Sequence, residues 1–228
     1  MLVQWSMFVA PPASPQLMAA VERTSAELLA LNALLQHEAA SPQAVAAVES
    51  VGRLADAARV LAAAPLGADP LVSERFGHST PAAAVAALAQ VSDRTARARL
   101  MVAAAIAPDV SITGAPLPPA LPRLAEALTA GQVGMDAAVL VTRELDSVAP
   151  RVPGETISIA EAIMVNLAKG FDATGAKPLP PVSVDRLTAE IRMWVPRSIP
   201  MARALAKNVR RVDGDSVSAS KTVTGCSR

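Results

Sequence analysis

The chain has 228 residues, 21 basic against 20 acidic, and is 52% hydrophobic with only 2% aromatic side chains and no tyrosine. Much of the apolar content is alanine, the strongest helix former, whereas the bulky residues that fill sheets are scarce apart from valine. This composition predicts an all-α fold with close helix packing, and a formal net charge of +1 excludes the broad basic excess of a protein that wraps nucleic acid.

The opening segment, MLVQWSMFVAPPASP, is apolar but has no basic residue ahead of it, so it does not read as a secretory leader. Residues 1–13 read as a flexible N-terminus. Three hydroxyl–proline pairs then mark helix starts: Ser14-Pro15, Ser41-Pro42 and Thr80-Pro81. In each, the hydroxyl accepts from an orphan amide and proline has no amide to leave unpaired. They predict helices over about 15–38, 42–64 and 81–90, and Ser92 caps a fourth over 93–107. In the second helix, Glu49/Arg53 and Asp56/Arg59 stand one turn apart and mark a solvated face. Val45, Val48, Leu54, Ala58 and Leu61 are expected to form the buried one.

Residues 67–78 (GADPLVSERFGH) and 107–119 (APDVSITGAPLPP) read as connectors, rich in turn residues. Leu121, Leu124, Ala125 and Leu128 follow at helical spacing until Gly131; Ala137, Leu140, Val141, Leu145 and Val148 supply the next apolar face. Further helices are predicted at 156–169, ended by Gly170, at 183–194, capped by Ser183, and at about 199–210. Beyond Asp213-Gly214 the pattern turns loosely β-like, and the chain reads as stopping inside an element. The predicted organisation is a helical domain over 14–211, with sub-units of about 14–66 and 80–211, and an irregular tail over 212–228. The apolar runs at 82–91 and 100–107 are too short to span a membrane, and the lone Cys226 gives no sign of an oxidising compartment. The expected location is the cytoplasm.

Four stretches in this order, STPAAAVAALAQVSDRTARARLMVAAA, LPRLAEALTAGQVGMDAAVLVTREL, SVDRLTAEIRMWVP and RRVDGDSVSASKTVTG, resemble the actinobacterial domain-of-unknown-function family 222, also called the 13E12 repeat family. The resemblance covers roughly 15–224 and is most specific in LAEALTAGQVGMDAAVLV. It implies a helical domain that usually precedes an HNH endonuclease module, whose histidines hold a metal and activate water. The sequence departs from that pattern. Its two histidines, His37 and His78, lie in the first third, and neither has a ligand at metal-binding spacing. No nuclease residue carries over to any position, so the chain reads as the helical part without its nuclease.

Two stretches are candidates for nucleic-acid contact. Residues 82–106 resemble a helix-turn-helix: Ala86 fits the small position of the first helix, although Gln90 stands where glycine is preferred and Ala96 where a branched residue is usual. Arg94 and Arg97 lie within about 60° of each other on an ideal helix, while Arg99 points elsewhere and Asp93 offsets part of the charge. This second helix either reads DNA sequence, touches phosphates through Arg94 and Arg97, or simply packs in the bundle with its arginines in water. The second stretch, 192–211, holds Arg192, Arg197, Arg203, Lys207, Arg210 and Arg211 with no acidic residue, and Arg203, Lys207 and Arg210 share one helix face. Its alternative is a solvated helix end where basic residues are favourable.

Asp136, Glu144, Asp146, Glu155 and Glu161 occupy helix starts or polar faces, and no pair of them reads as an acid–base couple. Trp194 reads as core. No cofactor, metal, small-molecule substrate or membrane partner is expected. The leading expectation is a non-catalytic, DNA-contacting helical domain. The alternative is a protein–protein interaction or oligomerisation module, binding itself or another protein without a nucleic-acid role.

Overall fold

The computed structural model describes residues 13–37 and 41–193, apart from 112 and 181. The segment before residue 13, Trp194, Arg197, Arg203, Lys207, Arg210, Arg211, the predicted helix at 199–210 and the tail over 212–228 lie outside the described residues.

The fold is all-α. The three hydroxyl–proline starts behave as their chemistry requires. Ser14 Oγ accepts from the Leu17 amide at 3.2 Å to open α1 (Pro15–Leu35), and Ser41 Oγ accepts from Ala44 at 3.1 Å to open α2 (Pro42–Ala68). Thr80 Oγ1 accepts from Ala83 at 3.2 Å ahead of α4 (Pro81–Ala89). Between them the connector predicted at 67–78 contains a six-residue helix, α3 (Pro70–Arg75). Its proline start and the turn residues on either side hid it. α5 (Asp93–Ile106) follows, and the second connector folds back through a two-residue antiparallel pair, β1 (Asp109–Val110) and β2 (Pro116–Leu117). Then come α6 (Pro122–Thr129), α7 (Met135–Val148), a single 3-10 turn at 149–151, α8 (Gly154–Ala168) and α9, whose described residues are 184–193. Ser183 Oγ caps α9 by accepting from the Arg186 amide.

α2 is the spine of the bundle. It packs most extensively on α5 and also meets α4, α6 and α7, so it shares one core with the helices that follow. Its buried residues are Ala57, Val60 and Ala63, not the predicted set; Val45, Leu54 and Leu61 are exposed. Apolar residues occur on both sides of this helix, so periodicity did not distinguish the faces. Small side chains won the interior because α5 approaches closely there. α2 also runs four residues past its predicted end, through Pro65. The proline gives up one helical bond, while Ala63 before it and Leu66 after it pack in one cluster with Val85 and Ala96. The main core lies among α2, α5, α6, α7, α8 and α9, centred on Val60, Val102, Leu124, Leu128, Val141, Leu145 and Ile191.

The turn from α6 to α7 is fixed by two contacts with α2. Gly131 has φ +67°, which L residues adopt at a cost, and a Cβ there would stand 2.8 Å from Leu54 Cδ2. The Arg53 Nε donates to the Gly131 carbonyl at 2.8 Å. Arg53 therefore belongs to the packing, not to the solvated face assigned to it with Glu49. Asp56 and Arg59 do form their predicted exposed pair, at 2.7 Å.

No helix among the described residues is long and apolar enough to cross a membrane.

Candidate nucleic-acid interface

α4 and α5 form a short helical hairpin whose small apolar cluster is shared with the end of α2. Val85, Ala96 and Ala63 are buried there, with Ala86, Val91, Leu66 and Leu100 packed around them. The hinge is Gln90, at φ 52° and ψ 45° in the left-handed region, where the Val91 amide closes back on the Ala86 carbonyl at 3.0 Å. This is the position at which a helix-turn-helix prefers glycine, and the chain adopts the conformation without it. Ser92 Oγ then accepts from the Thr95 amide at 3.2 Å and starts α5. Ala96, in place of a branched residue, is fully buried against α4, so a methyl fills the space that the close approach leaves.

The consequence is a helix whose first two turns present Ser92, Asp93, Arg94, Thr95 and Arg97 to solvent. Its last two turns bury Val102, Ala103, Ala105 and Ile106. Arg94 and Arg97 overhang a cleft between α5 and α7, whose far wall carries Met135, Asp136, Val139 and Arg143. Arg97 is paired with Asp93 one turn back, both largely exposed, so the pair is loosely held and open to exchange with another anion. Arg99 is half-buried and faces away. The cleft thus gathers three guanidinium groups, Arg94, Arg97 and Arg143, and two carboxylates, Asp93 and Asp136. Sequence reasoning missed Arg143, because its neighbourhood with α5 arises only from packing.

Arg192 is exposed near the end of α9, with its Nε 3.8 Å from Glu144 Oε1. The structure does not join it to the α5 cleft. The remaining members of the basic stretch, from Arg197 onward, lie outside the described residues.

The carboxylate that matters most to the fold is Glu161, on α8. It is 1% exposed, and its Oε1 accepts from the amides of Arg123 at 2.8 Å and Leu124 at 2.9 Å. α6 begins at Leu121-Pro122 and has no side-chain cap of its own; Glu161 supplies the acceptor from another helix. Burial pushes its pKa above the ordinary carboxylate value, and the two amides and the Arg123 charge only partly oppose this. Two signals in the sequence point to the role: a lone acid inside the apolar run ISIAEAIMV, and a helix start with no capping residue. Among the described residues, no group of three His, Cys, Asp or Glu side chains is arranged to hold a metal.

A family model described as "Domain of unknown function (DUF222)" matches residues 42–190. No curated protein and no solved structure matches the chain.

Proposed function

The chain belongs to the DUF222 family, and from that premise we propose that its helical domain has a non-catalytic role in the cytoplasm, contacting DNA through the first half of α5. The observation that carries this reading is the α4–Gln90–α5 hairpin. It has the turn conformation of a helix-turn-helix and packs through a small apolar cluster on α2, and it leaves Arg94, Thr95 and Arg97 exposed at the N-terminal end of the second helix, where such units meet DNA. The family resemblance to proteins that carry an HNH endonuclease supports a nucleic acid as the partner. Charge in the cleft is nearly balanced, so contact is weak and largely to phosphates, with Arg94, Arg97 and Arg143 as donors. The basic stretch from Arg192 to Arg211 is kept as a second, separate candidate for contact.

The test is a fluorescence anisotropy titration of the full chain on duplex DNA at several salt concentrations. Three phosphate contacts predict a log K against log salt slope of about −3. Replacing Arg94 and Arg97 together by alanine should flatten that slope by about 2. Unchanged binding in this variant, or no binding at low salt, overturns the reading.

A further inference from the structure

Six residues among those described have positive φ, and five of them are glycines: Gly77, Gly114, Gly131, Gly170 and Gly175. The sixth is Gln90, the hinge between α4 and α5. A Cβ makes this left-handed conformation costly for an L residue, whereas glycine adopts it freely. Other residues held in such conformations cluster at ligand contacts and switch regions. The side chain of Gln90 contributes little to the fold. It is exposed and belongs to neither apolar cluster. Its backbone amide is engaged on the carbonyls of Ala86 and Ala87, but among the described residues its carboxamide has no hydrogen-bond partner. Glycine would form the same hinge with less strain.

The place of Gln90 in the chain gives that carboxamide a use. It stands two residues before Ser92, the N-cap of α5, so its Cα lies within ~7 Å of that helix end. Arg94, Thr95 and Arg97 follow, exposed on the first two turns of the same helix. Asp93, the acid at that end, is engaged with Arg97. A carboxamide offers two N–H donors. Side chains of this kind, together with arginines and helix N-termini, supply the contacts to phosphate oxygens that fix a protein's register on a duplex.

We propose that Gln90 is a phosphate-contacting residue, whose carboxamide donates to the backbone of the duplex that α5 meets. The inference rests on the DNA reading of α5 and extends that contact across the hinge to α4. A neutral donor leaves a signature unlike that of an arginine. It adds affinity but releases no counterion, so its removal weakens binding without altering the dependence on salt. A cation set in the same place releases one more counterion and steepens that dependence.

Fluorescence anisotropy of the full chain on duplex DNA, at several salt concentrations, tests it with two variants. Gln90→Gly should weaken binding roughly 5- to 10-fold with the log K against log salt slope unchanged, while its thermal midpoint rises because the hinge is relaxed. The loss therefore cannot be put down to poorer folding. Gln90→Lys keeps a long side chain at the hinge and should steepen the slope by about 1. Three results overturn the proposal. If Arg94→Ala with Arg97→Ala loses binding but Gln90→Gly does not, α5 meets DNA without the hinge. If Gln90→Gly weakens binding but Gln90→Lys leaves the slope unaltered, the glycine has loosened the hinge and no phosphate lies within reach. If the unsubstituted chain does not bind at low salt, the DNA reading fails and this contact fails with it.

Discussion

Replacing Glu161 should separate the need for an acceptor from the need for a charge. Glu161→Ala leaves the amides of Arg123 and Leu124 without their partner. The Leu124 amide is buried and bears the full cost of an orphaned donor, about 1–3 kcal/mol, while that of Arg123 is partly open to water. With the space left by the side chain, the loss is about 3 kcal/mol, a fall of roughly 6–12 °C in Tm for a chain of this size. Glu161→Gln keeps an oxygen in the same place and should remain within about 1 kcal/mol of wild type. The pH dependence carries the sharper test. The folded-state pKa is raised above the ordinary glutamate value of 4.5, chiefly by burial. In the window above 4.5 the native state therefore holds a proton that the unfolded chain has released, and stability falls as pH rises through the folded value. Below the unfolded pKa that contribution is fully present. Thermal melts followed by circular dichroism from pH 4 to 8 should thus show the glutamine variant gaining on wild type as pH rises. A glutamine variant as unstable as the alanine one, or one that loses ground with rising pH, refutes the reasoning.

Three further substitutions test local geometry. Gly131→Ala forces a Cβ into a left-handed residue and against Leu54, and should cost about 2 kcal/mol in a urea titration, partly relieved in a Leu54→Ala background. Gln90→Gly relieves the left-handed hinge of the α4–α5 hairpin and should raise stability by about 0.5–1 kcal/mol, with a higher thermal midpoint as the readout. Thr142→Val removes a buried hydroxyl that has no partner among the described residues and should raise the urea midpoint by up to about 1 kcal/mol of stability.

The helix starts were legible because their chemistry is local: a hydroxyl before a proline at 14, 41 and 80, and a lone serine at 92. Chain reversals at Gly131 and Gly170 were legible for the same reason, as both have positive φ. What the sequence did not reveal is which side of an alanine-rich helix faces inward. In α2 the long side chains Leu54 and Leu61 stay about half exposed while Ala57 and Ala63 are buried, because close backbone approach, not side-chain bulk, selects the interior. α3 escaped notice because six residues between Asp69 and Gly77 carry no periodic signal. In the candidate site, Arg94 and Arg97 were found from the pattern of a known motif. Arg143, Arg53 and Glu161 were not, because their partners lie 37 or more residues away or arise from helix packing.

The most direct test of the central claim is a salt-dependent DNA titration of the full chain beside two variants, Arg94→Ala with Arg97→Ala, and Arg203→Ala with Lys207→Ala and Arg210→Ala. If α5 meets DNA, the first variant loses affinity and its salt slope becomes shallower by about 2. If only the second variant weakens binding, the contact belongs to the C-terminal basic stretch and the α5 assignment is wrong. Binding unaltered in both, or absent from the unsubstituted chain at low salt, contradicts a DNA-contacting role.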